Sequence, residues 1–272
     1  MRITAKQFCT VSIPLEGLVP TMYQDSIGLV TVAMGNLIEP ISLGMGYPWR
    51  RKDGTFATTF EYIVEWNIIN SKLELAQLGW RAAANHCKLH LTQEDMFAIV
   101  EAKLLSNEVT LKRRVKTYEE LPADAHLMLH SWAWAVGPNA AYGRMLRLLN
   151  EKKLAAAVNE CTINPQKGTI ILRNAMNRQC LLNAQWVLDN GESLDELHYG
   201  TPFSGQADSP THTVVQLQHA LSLLGFTLAQ DGVFGPKSRE ALTKFQGIHK
   251  LQQDGIAGPL TWAAIQQALR FR

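Results

Sequence analysis

The sequence repeats itself near its end. Residues 231–242 read DGVFGPKSREAL and residues 254–265 read DGIAGPLTWAAI, the second copy 23 positions after the first. Each copy opens with a tight Asp-Gly turn, passes through Gly-Pro with the proline suited to the first helical position, and continues as an amphipathic helix. Two copies are too few to stack as a solenoid. Together with the helical pattern over 213–224 they predict a compact three-helix module over 213–272. Immediately upstream, 200–210 (GTPFSGQADSP) is rich in Gly, Pro, Ser and Thr and has neither helical nor strand periodicity, so 201–212 is expected to be a linker. Residues 1–200 then form a separate and larger domain.

That larger segment is patterned mostly for helix. Thr92 followed by Asp95 is a variant of the capping box, and it is expected to open a helix with Phe97, Val100, Leu104 and Leu105 on one side. Residues 123–137 (ADAHLMLHSWAWAVG) form a further helix stopped by Gly137 and Pro138, and 140–161 and 168–189 continue in the same way. Only 21–35 (TMYQDSIGLVTVAMG) has β character, with Gly28 in a turn and Val30, Val32 and Met34 alternating against Leu29, Thr31 and Ala33. The expected class is α+β: a mainly helical domain with a small β-hairpin lobe, plus the three-helix bundle. An apolar content of 46% over 272 residues is enough for real cores in both.

Charge and composition remove several function classes. A formal charge of +2 gives no dense basic face for nucleic acid. No apolar run approaches the roughly 18–20 residues of a membrane span, and the first residues lack a long apolar core and a small-residue cleavage site. The expectation is a monomer made in the cytoplasm, without stable membrane insertion, that relies on outside help for any export. Cys9, Cys87, Cys161 and Cys180 form no CxxC pattern and read as reduced core thiols.

The candidate chemistry lies in 15–36, LEGLVPTMYQDSIGLVTVAMGN. A carboxyl group acts as a general acid near neutral pH when burial or a neighbouring charge raises its pKa, while a second carboxylate stays ionised to meet a cation or water. Glu16 falls at the end of a first helix that Thr4 caps and Gly17 stops. Asp25 enters the hairpin turn, and Thr31 lies on the return strand. A surface acid, a turn-forming Asp and a strand Thr explain the same residues, so spacing alone leaves both readings open.

The pattern Glu-Gly, then Tyr-x-Asp nine residues after the Glu, then Gly-x-x-Thr, resembles the phage-type lysozyme family, glycoside hydrolase family 24. Glu16, Asp25 and Thr31 meet its E-x8-D-x5-T arrangement, with Tyr23 and Gly28 in their places. Residues 132–150 (WAWAVGPNAAYGRMLRLLN) are similar to the family's F-N-V-G and LLRxLN segment. The C-terminal repeat resembles the three-helix peptidoglycan-binding domain, whose D-G-x-x-G-x-x-[ST] motif appears at 231–238 and 254–261. The resemblance implies an endolysin: a muramidase that cleaves the β-1,4 bond from N-acetylmuramic acid to N-acetylglucosamine with no cofactor and no metal. Glu16 is then the acid, Asp25 acts on the opposite face of the sugar, and Thr31 helps hold the attacking water. It also implies peptidoglycan as partner, with Asp231, Phe234 and Asp254 near the module's binding turns, and a stay in the host cytoplasm until a membrane pore opens. The chain departs from the family at Ala33 for a Gly, at Asn36 for a His, at Pro14 one turn from Glu16, and in a longer 39–59 segment.

Other candidates take plainer roles. His86/His90 and His126/His130 are i, i+4 pairs without an HExxH motif and read as satisfied or surface histidines. The basic runs 50–53 and 111–116 read as a loop and a solvated helix face. Trp66, Trp80, Trp132, Trp134, Trp186 and Trp262 fall in helical patterns and are expected in cores, whereas Trp49, beside Tyr47 and Pro48, is the candidate sugar contact. The rivals to a muramidase are a lytic transglycosylase, which needs Glu16 but hardly Asp25, and a catalytically inactive wall-binding protein. A secreted bacterial muramidase effector shares the same parts.

Overall fold

In a computed structural model the described residues are 1–164, 169–199, 211–229 and 234–270. The expected linker, Asp231 and the first Asp-Gly turn lie largely outside them. In chain order the elements are helix α1 (Ala5–Glu16), strands β1 (Val19–Gln24), β2 (Val30–Ala33) and β3 (Asn36–Leu37), and helices α2 (Thr59–Ser71), α3 (Leu75–Leu78), α4 (Trp80–Ala84), α5 (Gln93–Arg114), α6 (Ala123–Val136), α7 (Gly143–Asn150), α8 (Leu154–Ala157), α9 (Thr169–Asn190), α10 (Thr211–Leu223), α11 (Pro236–Ile248) and α12 (Pro259–Arg270). The class is α+β: mixed helices with one three-stranded antiparallel sheet of order β1-β2-β3. The chain divides into two compact units, 5–104 and 1–4 with 105–272.

The first unit holds the sheet. Tyr23 pairs with Thr31 and Gln24 with Val30, and an irregularity between Val19 and Tyr23 shifts the register before Val19 meets Ala33. The strands close as expected at Gly28, whose φ of +89° is open to glycine at no steric cost. The expected alternation along β2 does not hold. Val30, Thr31, Val32 and Ala33 are all buried, because β2 is the central strand and both of its faces are covered. Its core joins Met22, Val30 and Val32 to Tyr62, Trp66 and Ile69 of α2.

The 39–59 segment is a folded part of this unit. Trp49 is 3% exposed, donates its indole N–H to the Gly44 carbonyl at 2.9 Å and stacks on Tyr62 at 5.6 Å between ring centroids. This corrects its assignment as a sugar contact, since neither face of the ring is left for a ligand. Trp80 and Trp186, expected in cores, are instead 40% and 39% exposed. Arg51 does not remain a solvated loop charge: its guanidinium forks onto Glu61 at 2.7 and 2.6 Å.

Helix α5 begins with the capping box read from the sequence. The Asp95 amide donates to the Thr92 hydroxyl at 3.1 Å and the Thr92 amide to the Asp95 carboxylate at 3.0 Å. Its buried stripe runs through Met96, Val100, Leu104 and Leu111, so Leu105 falls off that face and is exposed.

In the second unit α6 is enclosed on every side from Ala123 to Ala133 and stops at Gly137, φ +84°. Its two histidines are internal. His126 accepts from the Arg2 amide at 3.1 Å and its Nε2 lies 2.9 Å from the Tyr118 carbonyl, while the His130 Nε2 lies 2.9 Å from the Tyr118 hydroxyl. Burial pushes their pKa values down to about 4 and about 3. All four cysteines are free thiols. Helices α10–α12 share a cluster of their own built from Leu217, Leu221, Leu242, Phe245 and Ile265, and α11 starts at Pro236 in the first helical position, as the repeat predicts.

Candidate functional site

Glu16 is the last residue of α1 and is partly buried. The helix stops there because Gly17 takes φ +81°, with its amide donating back to the Ile13 carbonyl at 2.7 Å. Two residues later β1 begins, so the helix end and the hairpin are joined by a link too short to drift.

Asp25 and Thr31 are organised around one residue between them. The Asp25 Oδ1 accepts from the amides of Ile27 at 3.0 Å and Leu29 at 2.9 Å, an Asx-type closure of the hairpin turn. The Thr31 hydroxyl donates to the Leu29 carbonyl at 3.0 Å. Both polar groups of Leu29 are thus tied to the two candidate side chains. The second carboxylate oxygen of Asp25 takes no hydrogen bond among the described residues. Thr31 is 2% exposed, and with its proton committed to Leu29 its remaining capacity is as an acceptor. Tyr23, the cross-strand partner of Thr31, has its phenol pushed up to about 12 by burial and by the negative charge of Asp25.

Two departures from the family pattern acquire a geometry. Ala33 sits at φ +55°, where a glycine is more at ease, and Gly35 follows at +78°. Asn36 is 5% exposed and its Oδ1 accepts from the Met34 amide at 3.3 Å, which closes the β2–β3 turn. A residue not singled out in the sequence also holds this hairpin. Gln24, 2% exposed, donates through Nε2 to the Ile69 carbonyl at 3.0 Å and the Asn70 carbonyl at 3.3 Å, fixing the strand beside Asp25 to the last turn of α2. The one available signal was a polar residue where the strand pattern turns inward.

In the C-terminal module the motif residues serve the fold. Asp254 Oδ1 accepts from the Ile256 amide and from Gln246 Nε2, both at 2.8 Å, which holds its pKa low. Gln246, 1% exposed, also reaches the Ile256 carbonyl at 3.0 Å and the Thr261 hydroxyl at 3.3 Å, and its Oε1 accepts from the Gly255 amide at 3.0 Å. One buried side chain therefore stitches the D-G-x-x-G-x-x-[ST] loop to α11. In the other copy Gln218 donates to the matching Ser238 hydroxyl at 3.1 Å. Phe234 packs partly buried against the module core, with the Arg239 guanidinium 5.4 Å from its ring centre.

Among the described residues no group of three or more His, Cys, Asp or Glu is placed to hold a metal ion, and no helix is long and apolar enough to cross a membrane.

The chain is 46% identical over 50 residues to an uncharacterized protein in the bpoA1 3′ region of Kitasatospora aureofaciens, a match covering 18% of this chain and 41% of that one. It is 49% identical over 43 residues to a zinc D-Ala-D-Ala carboxypeptidase of Streptomyces albus G, covering 16% and 17%. The chain spans less than half the length of each of these relatives. Residues 210–265 match the family described as "Putative peptidoglycan binding domain", so the chain carries a peptidoglycan-binding domain in its C-terminal part.

Proposed function

We propose that the protein is a peptidoglycan hydrolase: a lysozyme-like muramidase carried by the first part of the chain and held at its substrate by the C-terminal domain. The observation that carries this reading is the pairing of Asp25 and Thr31 about Leu29, in the same compact unit as Glu16 at the end of α1. Glu16 donates the proton to the departing glycosidic oxygen. The unbonded oxygen of Asp25 faces the developing positive charge or takes a proton from water, while its other oxygen stays fixed by two amides. Thr31 accepts a hydrogen bond from that water and so helps aim its lone pair at the sugar. An inverting course needs carboxyls roughly 6.5–9.5 Å apart, with room between for the water. The relative from Streptomyces albus G is named as a carboxypeptidase, which supports reading this chain too as an enzyme. The biological role that fits is lysis of a bacterial wall by a phage endolysin.

A second reading, a lytic transglycosylase relying on Glu16 alone, is favoured by one observation: Thr31 is almost wholly buried. Clearing of purified sacculi separates the two. Glu16→Gln should slow clearing by roughly 10²- to 10⁴-fold. Asp25→Asn should lose most activity, and Thr31→Val should impair turnover while the protein stays folded. Full activity of both Asp25→Asn and Thr31→Val would support the transglycosylase, and near-normal activity of folded Glu16→Gln would rule out both.

A further inference from the structure

The unit formed by 5–104 contains a pocket of ≈ 530 Å³ that the hydrolytic residues do not line. Its floor comes from an unusual face of α2. The helix buries Tyr62, Trp66 and Ile69 on one side, yet Phe60, Val64 and Ile68, spaced i, i+4, i+8 on another, are 73%, 41% and 39% exposed. A helix that is apolar on its solvent side as well as its core side presents a binding surface. Buried Leu89 completes the floor.

The rim is cationic once the internal pairs are set aside. Arg51 is spent on Glu61, and the carboxylate of Glu65 is turned to the amides of Lys88 at 2.6 Å and Leu89 at 3.1 Å. Lys52 and Lys88 are exposed and form no ion pair among the described residues. An antiparallel bridge between Arg50 and His90 holds their two segments side by side. The site therefore offers an apolar floor beside two exposed lysines, of which Lys88 also acts on the Glu65 carboxylate. Its volume suits a ligand of a few residues, whereas a protein face needs about 800 Å² per partner. An anionic bilayer also answers to lysines and apolar side chains, but it takes up a protruding face, and these apolar atoms line a concavity.

We propose that this pocket binds a short acidic peptide with small apolar side chains, its carboxylates at Lys52 and Lys88 and its methyl groups on Phe60, Val64 and Ile68. Where the protein acts on peptidoglycan, the wall's own stem peptide, which carries D-glutamate and alanine, supplies this chemistry. That identification rests on the proposed function, and the pocket's preference for acidic peptide does not.

The test is calorimetric titration of the full chain with the N-acetylated tetrapeptide Ala-D-Glu-Ala-D-Ala, which carries two carboxylates and no cation, with the same peptide amidated at its carboxyls, with an all-L peptide of equal charge, and with vesicles of anionic lipid. The acidic peptide should bind one to one. Amidation should weaken it about tenfold or more, as should the Lys52→Glu/Lys88→Glu double change and high salt. Val64→Asp, at an exposed floor position, should weaken it with the lysines intact. Equal affinity for acidic and amidated peptides, or undiminished binding to a normally folded Lys52→Glu/Lys88→Glu protein, overturns the proposal, as does binding of vesicles in place of peptide. Equal affinity for the D-Glu and all-L peptides keeps the acidic-peptide pocket and overturns the wall as its source. Sacculus clearing is read separately, so a protein that binds peptide without cleaving wall contradicts the hydrolase and not the pocket.

Discussion

Replacing Gln246 by Ala tests whether the repeat motif is a folding device. The side chain is 1% exposed and joins four partners across 8–15 residues of sequence. Its loss strands the Gly255 amide inside the loop, which costs about 1–3 kcal/mol, and removes further hydrogen bonds worth roughly 1 kcal/mol each. Ile256 keeps a second donor in the Thr261 hydroxyl at 3.3 Å, so its carbonyl is not counted. The sum is about 3–5 kcal/mol. A domain of this size has a total stability on the order of 3–9 kcal/mol, so the change removes a third or more of it. The expected drop in the domain's thermal midpoint is more than about 10 °C, with faster amide hydrogen exchange concentrated in α11, the 254–258 loop and α12. Gln246→Glu keeps an acceptor for Gly255 but sets a second carboxylate against Asp254, so its penalty should shrink as the pH is lowered. A midpoint within about 3 °C of wild type, with unchanged exchange at Gly255, would show that Gln246 does not hold the loop.

Two other perturbations follow from the same kind of accounting. At Ala33 the left-handed backbone costs about 1–2 kcal/mol, and deleting its fully buried methyl costs about 0.8 kcal/mol; Ala33→Gly should therefore be near neutral or slightly stabilising by chemical denaturation, whereas Ala33→Val should destabilise clearly. His126 and His130 are held neutral in the fold, with pKa values of about 4 and about 3 against 6.5 when free. Their contribution is complete above pH 6.5 and is lost as the pH falls through 6 toward 4, because the unfolded chain takes up protons that the folded one refuses. Urea unfolding should show stability falling by up to about 1.4 kcal/mol per pH unit for each imidazole, and His126→Gln, which keeps a donor for the Tyr118 carbonyl and an acceptor for the Arg2 amide, should flatten that slope.

What the sequence revealed depended on how local the cause was. Gly28, Gly137 and the prolines opening α11 and α12 act through their own backbone, and each marks the expected boundary. The positions of Asp25 and Thr31 were legible for the same reason, since the hairpin turn between them is set by neighbours in sequence. Burial by distant partners was not legible. Trp49 looked like an aromatic in an open loop because the Tyr62 ring that covers it comes from a helix whose approach no local pattern encodes. Gln24, Glu65 and Gln246 read as ordinary polar residues, although each satisfies backbone groups of another segment, 45, 23 and 9 residues away. Leu105 failed in the opposite sense, being an apolar residue one position off the buried stripe of α5.

The central claim, that Glu16 and the Asp25–Thr31 hairpin form a hydrolytic site for wall glycan, is tested most directly by the masses of the soluble fragments released from purified sacculi. A muramidase releases muropeptides ending in reducing N-acetylmuramic acid, one water heavier than the anhydro form, and these should disappear with the Glu16→Gln protein. Fragments ending in 1,6-anhydro-N-acetylmuramic acid, or a wild-type digest with no cleaved glycan at all, would contradict it.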